Sequence, residues 1–157
     1  EMCIRDRGRG SMTASNGKAV QRCITEALRS TGLKGEDIDV INGHLTATSR
    51  DAEEVFNWSQ ALGRSGADFP FINSFKDVLG HGLSASGSME CVAALLQLEA
   101  GKVIGNRNAA DLHPEISQLI EPSRVPLENT PAAAEIIAKI SLGFGDVNAC
   151  VIFKRYD

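Results

Sequence analysis

Apolar residues recur at helical spacing in the first part of the chain. Val20, Cys23, Ile24, Ala27 and Leu28 fall at i, i+3, i+4, i+7 and i+8, which is one face of an α-helix. Ser15 or Asn16 can cap its start, and Gly32 supplies a stop. A polar connection over 34–37 follows. Ile38 to Ile41 then reads as a short strand that runs out at His44. A second helix begins near Asp51 and Glu54, whose carboxylates suit the positive end of a helix dipole. Ala52, Val55, Ser59 and Leu62 line its inner face, and Gly63 ends it. Phe69 to Asn73 is a second short strand.

A run of small residues from Gly80 to Gly87 permits close backbone packing. It leads into a helix, Met89 to Leu98, that is apolar nearly all round and so predicts deep burial. Residues 104–133 hold four of the five prolines, at 114, 122, 126 and 131. They predict a long irregular excursion with one short helical turn at 115–120. Ile136 to Ser141 and Ala149 to Phe153 are β-rich runs around Gly143-Phe144-Gly145, the pattern of a hairpin. The order α, β, α, β, α, long loop, β, β gives an α/β fold with a mixed sheet. No internal repeat is visible.

Composition narrows the function classes. The 157 residues are enough for one domain with a real core, and 43% hydrophobic with 23% charged residues is globular. The net charge is −4 and no basic stripe runs along a helix, which argues against nucleic acid as a partner. No apolar run approaches the ~20 residues of a membrane span. The four cysteines (Cys3, Cys23, Cys91, Cys150) lack C-x-x-C spacing, so neither a disulfide framework nor a metal site is expected. A reducing, cytoplasmic location is the expectation. Asn57-Trp58-Ser59 fits the glycosylation sequon by coincidence, since no secretory signal accompanies it. The first seven residues, Glu1 to Arg7, show neither periodicity nor turn chemistry. They read as non-native sequence joined to a truncated frame, with one domain over 8–157.

Three phrases carry candidate chemistry. His44 lies in Gly43-His44-Leu45-Thr46-Ala47-Thr48, just past a strand. His81 lies in Lys76-Asp77-Val78-Leu79-Gly80-His81-Gly82, again past a strand. Ser141-Leu142-Gly143-Phe144-Gly145-Asp146-Val147-Asn148 closes the chain. Taken singly, each histidine reads as a core residue satisfied by backbone, and Lys76 as a solvated lysine. Sites in α/β folds collect past strand ends, and the joint occurrence in this order is far more specific than any one phrase.

Together the phrases resemble the C-terminal half of a β-ketoacyl-acyl carrier protein synthase, over roughly residues 16–156. His44-Leu45-Thr46-Ala47-Thr48 is similar to the family's His-Gly-Thr-x-Thr, with leucine in place of glycine. Asp51 and Glu54 match its acidic pair, one residue nearer His44. Lys76 through His81 keeps Lys-x-x-x-Gly-His, and Glu90 matches the glutamate of the next helix. Gly143-Phe144-Gly145-Asp146-Val147-Asn148 matches Gly-Phe-Gly-Gly-x-Asn, with aspartate for the last glycine.

The resemblance implies a thiolase-like fold, of which this chain is the C-terminal half, a mixed sheet with a buried central helix. It implies decarboxylative Claisen condensation on malonyl-carrier protein. His44 and His81 would then donate hydrogen bonds to the thioester oxygen, with Lys76 and Glu90 as a buried charged network setting them. Thr46 and Thr48 would hold the phosphopantetheine arm. The Phe144 amide, between Gly143 and Gly145, would serve the oxyanion hole, and the Phe144 ring would gate the acyl pocket. The substrate would arrive on the phosphopantetheine of acyl carrier protein, with no other cofactor and no metal, and the full-length protein would be a homodimer. The family's nucleophilic cysteine belongs to the N-terminal half, outside this chain. Cys23, Cys91 and Cys150 read as structural thiols, so the chain alone is expected to be inactive and poorly soluble. The alternatives are a thiolase, a chain-length-factor-like partner or malonyl decarboxylase of a polyketide-type pathway, and an α/β binding module with structural histidines. Phe144 where a thiolase has a second cysteine argues against the first. The surviving histidine pair and Lys76 argue against a chain-length-factor-like partner, and the three matched phrases against the binding module.

Overall fold

The helical period of the first stretch is realised as α1 (Gly17–Thr31). All five spaced residues are buried, Asn16 caps the start by accepting from the Lys18 amide, and Gly32 closes the end at φ 70°. The computed structural model describes residues 2–5 and 15–156. After α1 come β2 (Val40–Asn42), α2 (Asp51–Leu62), β3 (Phe71–Asn73), α3 (Lys76–Leu79) and α4 (Ser86–Glu99). The remainder is β4 (Lys102–Val103), α5 (Pro114–Leu119), β5 (Thr130–Pro131), β6 (Ile136–Gly143) and β7 (Val147–Lys154). Met2–Arg5 forms β1, an edge strand antiparallel to β7 that the aperiodic sequence did not predict. Residues 1, 6 and 7 of the segment read as non-native lie outside the described residues.

The sheet runs β1-β7-β6-β2-β3. It is mixed: β2 is parallel to both β3 and β6, while β6 and β7 pair as an antiparallel hairpin. Side chains alternate across it at period two. Ile41, Ile72, Ala138 and Ile140 face α1, α2 and α5, around the fully buried Trp58. Val40 and Ile137 point the other way, onto Ala94 and Leu98 of α4.

The α/β class and the mixed sheet are as expected, and so is the inner face of α2, where Ala52, Val55, Ser59 and Leu62 are buried. The burial of α4 differs. Glu90, Ala94, Gln97 and Leu98 are covered, but Val92 (58% exposed), Leu95 and Leu96 (59%) are bare. The helix is apolar all round, and within this chain only one side of it meets the sheet. Strand bounds shift too. β2 lies two residues later at its start than the apolar run suggested, because Ile38 is a cap of the turn at 35–37. The proline-rich excursion holds the small β4–β5 pair besides α5. There Pro131 sits in a two-residue edge strand, where its missing N–H costs little.

Candidate active site

β2 and β3 end in one polar row. Asn42 is in register with Asn73 on one side and with Lys139 of β6 on the other, and all three are buried. Asn42 Nδ2 donates to Asn73 Oδ1 at 3.2 Å, and Asn73 Nδ2 donates to Gln97 Oε1 at 2.7 Å and to the Ile104 carbonyl at 2.9 Å. The Gly43 amide donates to the Asn73 carbonyl at 2.8 Å. Buried amides bonded in this way fix where the chain leaves the sheet. The loops that leave carry His44 and Lys76.

The His44 loop is clamped by α2. Glu54 accepts from the His44 and Leu45 amides at 2.7 and 2.9 Å. Asp51 accepts from the Thr46, Ala47 and Thr48 amides at 3.1, 3.0 and 3.4 Å. The acidic pair therefore does more than meet the dipole of α2: it turns back and satisfies five loop amides. Burial pushes the Glu54 carboxyl up to about 7, against the pull of the two amides. Gly43 is needed for this approach, since a Cβ there would lie 2.8 Å from Leu45 Cγ and 3.0 Å from Glu54 Oε1. Leu45, in the family's glycine position, is outside the left-handed region, whereas Ala47 occupies it at φ 56°. The Thr46 and Thr48 hydroxyls lie 3.3 Å apart on the rim.

His81 follows Gly80, whose φ of 72° turns the chain out of α3. The Leu83 amide donates to His81 Nδ1 at 3.1 Å, and Ser86 Oγ lies 3.1 Å from the same atom. A backbone N–H can only donate, so Nδ1 is unprotonated and the neutral ring carries its proton on Nε2. The His44 and His81 rings meet edge to face, with centroids 5.5 Å apart and planes at 85°. Burial, then Lys76 and Lys139, lower the His44 pKa to about 4, so that ring is neutral as well. Two neutral imidazoles side by side can offer N–H groups to an oxygen that gains negative charge.

Beside them, Glu90 bridges two lysines. Its Oε1 meets Lys76 Nζ at 2.5 Å and its Oε2 meets Lys139 Nζ at 2.6 Å. All three side chains are buried, Lys76 the least at 7% exposed. Burial lowers the pKa of Lys76, with Glu90 holding it up. The structure thus brings together His44, His81, Lys76 and Glu90, and adds Lys139. The sequence held a signal for Lys139, namely one lysine in the apolar run Ile136-Ile137-Ala138-Lys139-Ile140. A run apolar on both faces belongs to a strand covered on both faces, so its lysine needs a buried partner.

Gly143 ends β6, and Phe144, Gly145 and Asp146 form the β6–β7 turn, with Phe144 67% exposed. Ser141, two residues earlier, accepts from Lys139 Nζ at 2.9 Å and links this strand end to the lysine–glutamate bridge. Asp146, in place of the family's last glycine, has φ 65°, a region aspartate enters more readily than most residues. Its Oδ1 accepts from the Asn16 amide at 2.7 Å and so ties the turn to the start of α1. Cys23 and Cys150 are buried, and burial pushes the Cys150 thiol far up. Such thiols are poor nucleophiles. A surface groove of about 650 Å³ between α2 and α5, lined by Phe56, Glu115 and Leu119 among others, is separate from both histidines. Among the described residues, no cluster of three His, Cys, Asp or Glu could hold a metal ion, and no helix is long and apolar enough to cross a membrane.

Residues 2–110 match the model of the family described as "Beta-ketoacyl synthase, C-terminal domain". The chain is 32% identical over 142 residues to 3-oxoacyl-[acyl-carrier-protein] synthase 2 of Synechocystis sp., covering 90% of this chain and 33% of that one. It is 34% identical over 146 residues to the chloroplastic 3-oxoacyl-[acyl-carrier-protein] synthase II of Arabidopsis thaliana, covering 90% and 25%. Among solved structures it superimposes on the ishigamide ketosynthase/chain length factor with a TM-score of 0.86 at 27% identity, over 99% of this chain and 36% of that one. A β-ketoacyl synthase from Burkholderia phymatum gives 0.87 at 24%, again over 99% and 36%. The fold is thus the C-terminal half of a thiolase-like fold. The chain spans about a third of the length of the first of these curated relatives. Because that family model matches more than half of its residues, the chain belongs to the β-ketoacyl synthase C-terminal domain family.

Proposed function

We propose that the protein carrying this chain is a 3-oxoacyl-[acyl-carrier-protein] synthase, an acyltransferase of fatty-acid elongation. The observation that carries the reading is the edge-to-face pair of neutral imidazoles, His44 and His81, beside the Lys76–Glu90 bridge. In the reaction, the bond between C2 of the malonyl thioester and its carboxylate breaks and carbon dioxide leaves. The electron pair passes into the thioester carbonyl, giving an enolate. His81, with its proton on Nε2, and His44 donate hydrogen bonds to that oxygen as charge develops. C2 then attacks an acyl thioester, a C–C bond forms, and the cysteine thiolate departs. That cysteine lies outside this chain, in an N-terminal half that packs on the bare side of α4. Thr46 and Thr48 hold the phosphopantetheine arm, the Phe144 amide serves the oxyanion hole, and Gly143 and Gly145 let the turn approach. The partner is acyl carrier protein, the assembly a homodimer, the location cytoplasmic. The 157-residue chain alone is inactive.

A second reading, a ketosynthase or non-condensing partner of a polyketide-type pathway, draws on relatives such as the tetracenomycin polyketide synthase ketoacyl synthase alpha subunit of Streptomyces glaucescens (28% identical). The intact pair of histidines favours a condensing subunit over a partner. The test uses the full-length protein with malonyl-carrier protein and an acyl donor, following carbon dioxide release and 3-oxoacyl product. Both are expected from the wild type. Carbon dioxide without condensation would select the decarboxylase reading, and neither would sink the proposal.

A further inference from the structure

Glu90 is a single carboxylate between two ammonium groups, so the buried cluster carries one positive charge in excess. Lys76 alone would neutralise it; Lys139 supplies the surplus. Lys139 is 1% exposed; its ammonium donates to the Ile140 carbonyl at 2.5 Å and to Ser141 Oγ at 2.9 Å, and it lies 2.6 Å from Glu90 Oε2 as an ion pair. On the same face of the same strand, Ile137 shows what plain packing against α4 uses. A lysine there has to be desolvated and paired, which packing alone does not require. Register puts it level with Asn42, two residues before His44.

We infer that Lys139 is a positioning residue for the histidine pair: it seats the Glu90 carboxylate from the sheet side and sets a positive charge on the strand beside the one that leads into His44. This rests on the reading of His44 as a hydrogen-bond donor to the thioester oxygen. The groups facing His44 are Lys76 from α3, Glu90 from α4, Lys139 from β6, His81 from the loop after α3, and Glu54 from α2, which takes the His44 amide. Both lysines oppose protonation of His44 and Glu90 favours it. The same ammonium group reaches Ser141 at the root of the Gly143-Phe144-Gly145 turn, so one side chain ties the decarboxylation pair to the strand that carries the turn.

The test is an NMR titration of His44 in the full-length protein, wild type, Lys139→Met and Lys139→Arg, with the pH profile of malonyl-carrier protein decarboxylation in parallel. Methionine keeps the packing length and removes the charge. Its His44 midpoint is expected to rise by about one pH unit, the size of a nearby-charge effect. The acid limb of kcat/KM should move by the same amount, and arginine should restore both. An unmoved His44 midpoint in a folded Lys139→Met protein overturns the inference and leaves Lys139 a structural tie. Should that variant not fold, the side-chain ¹⁵N resonance of Lys139 in the wild type decides: an ammonium at neutral pH upholds the inference, a neutral amine ends it. A wild type without decarboxylation whose His44 midpoint still follows Lys139 would reject the proposed reaction and uphold the electrostatic role.

Discussion

The two faces of the sheet are built on different rules. The face under α1, α2 and α5 is closed and apolar, with Trp58 at 0% exposure among Val20, Ile24, Ile41 and Ile72. The face under α4 carries Asn42, Asn73 and Lys139 in one row, meets Glu90 and Gln97, and is roofed by a helix whose far side is bare. The first face needs nothing beyond this chain. The second concentrates the charged groups and also exposes the apolar surface, as expected where a site is assembled at a seam with another body. Stability and chemistry are thus segregated to opposite sides of one sheet, two of whose strands, β2 and β3, are only three residues long.

Substitutions on each face should therefore separate stability from chemistry. The largest effect should come from Trp58→Ala on the closed face. A fully buried tryptophan costs about 3–5 kcal/mol when truncated. Denaturant unfolding of the full-length protein should show that loss, with the pH profile of any surviving activity unchanged. On the open face, His44→Ala should lower kcat for decarboxylation about 10²–10³-fold, the loss typical of one oxyanion donor, while the unfolding midpoint moves little.

A smaller test uses pH. Below pH 6.5 an unfolded chain binds a proton that folded His44 declines until about pH 4, so stability falls as pH drops through that window. Folded Glu54 holds a proton up to about 7 that the unfolded chain releases above 4.5, so its contribution is full below 4.5 and lost as pH rises toward 7. The two oppose each other. His44→Phe should leave stability falling as pH rises from 4.5 to 7, and Glu54→Gln should leave it rising from 4 to 6.5; parallel slopes in the two variants would contradict this. The smallest effect concerns the bare roof. Val92→Lys with Leu96→Lys should change the unfolding free energy of the 157-residue chain by under about 0.5 kcal/mol, while raising its solubility by light scattering. In the full-length protein the same pair should be strongly destabilising.

The closed face was readable because helical periodicity and burial coincide there. Asn16, Val20, Cys23, Ile24 and Gly32 announced α1 at both ends. The open face was readable only in its phrases. Nothing in the spacing of α4 says which of its apolar residues meets this chain and which faces outward, since that depends on what covers them. The use of Asp51 and Glu54 as amide clamps could not be read from their place at a helix start, because the loop has to double back over α2 first. The proton of His81 sits on Nε2 because the Leu83 amide turns toward Nδ1, with Leu83 at φ 51°, a backbone choice no propensity announces. Lys139 stands out as a lysine in an apolar run, but its partner is 49 positions away in the chain, on another element, and no spacing points to it.

The parallel register of β2 with β6 has a consequence in time. Val40 pairs with Ile137, nearly a hundred residues on. At the usual pace of about 5–20 residues per second, a ribosome finishes β6 some seconds after β2 has emerged. Through that interval β2 has β3 on one side and an open edge on the other, and Glu90 waits for its second lysine. The half-made chain is at its most vulnerable to aggregation then, and the buried lysine–glutamate cluster is among the last parts to come into being.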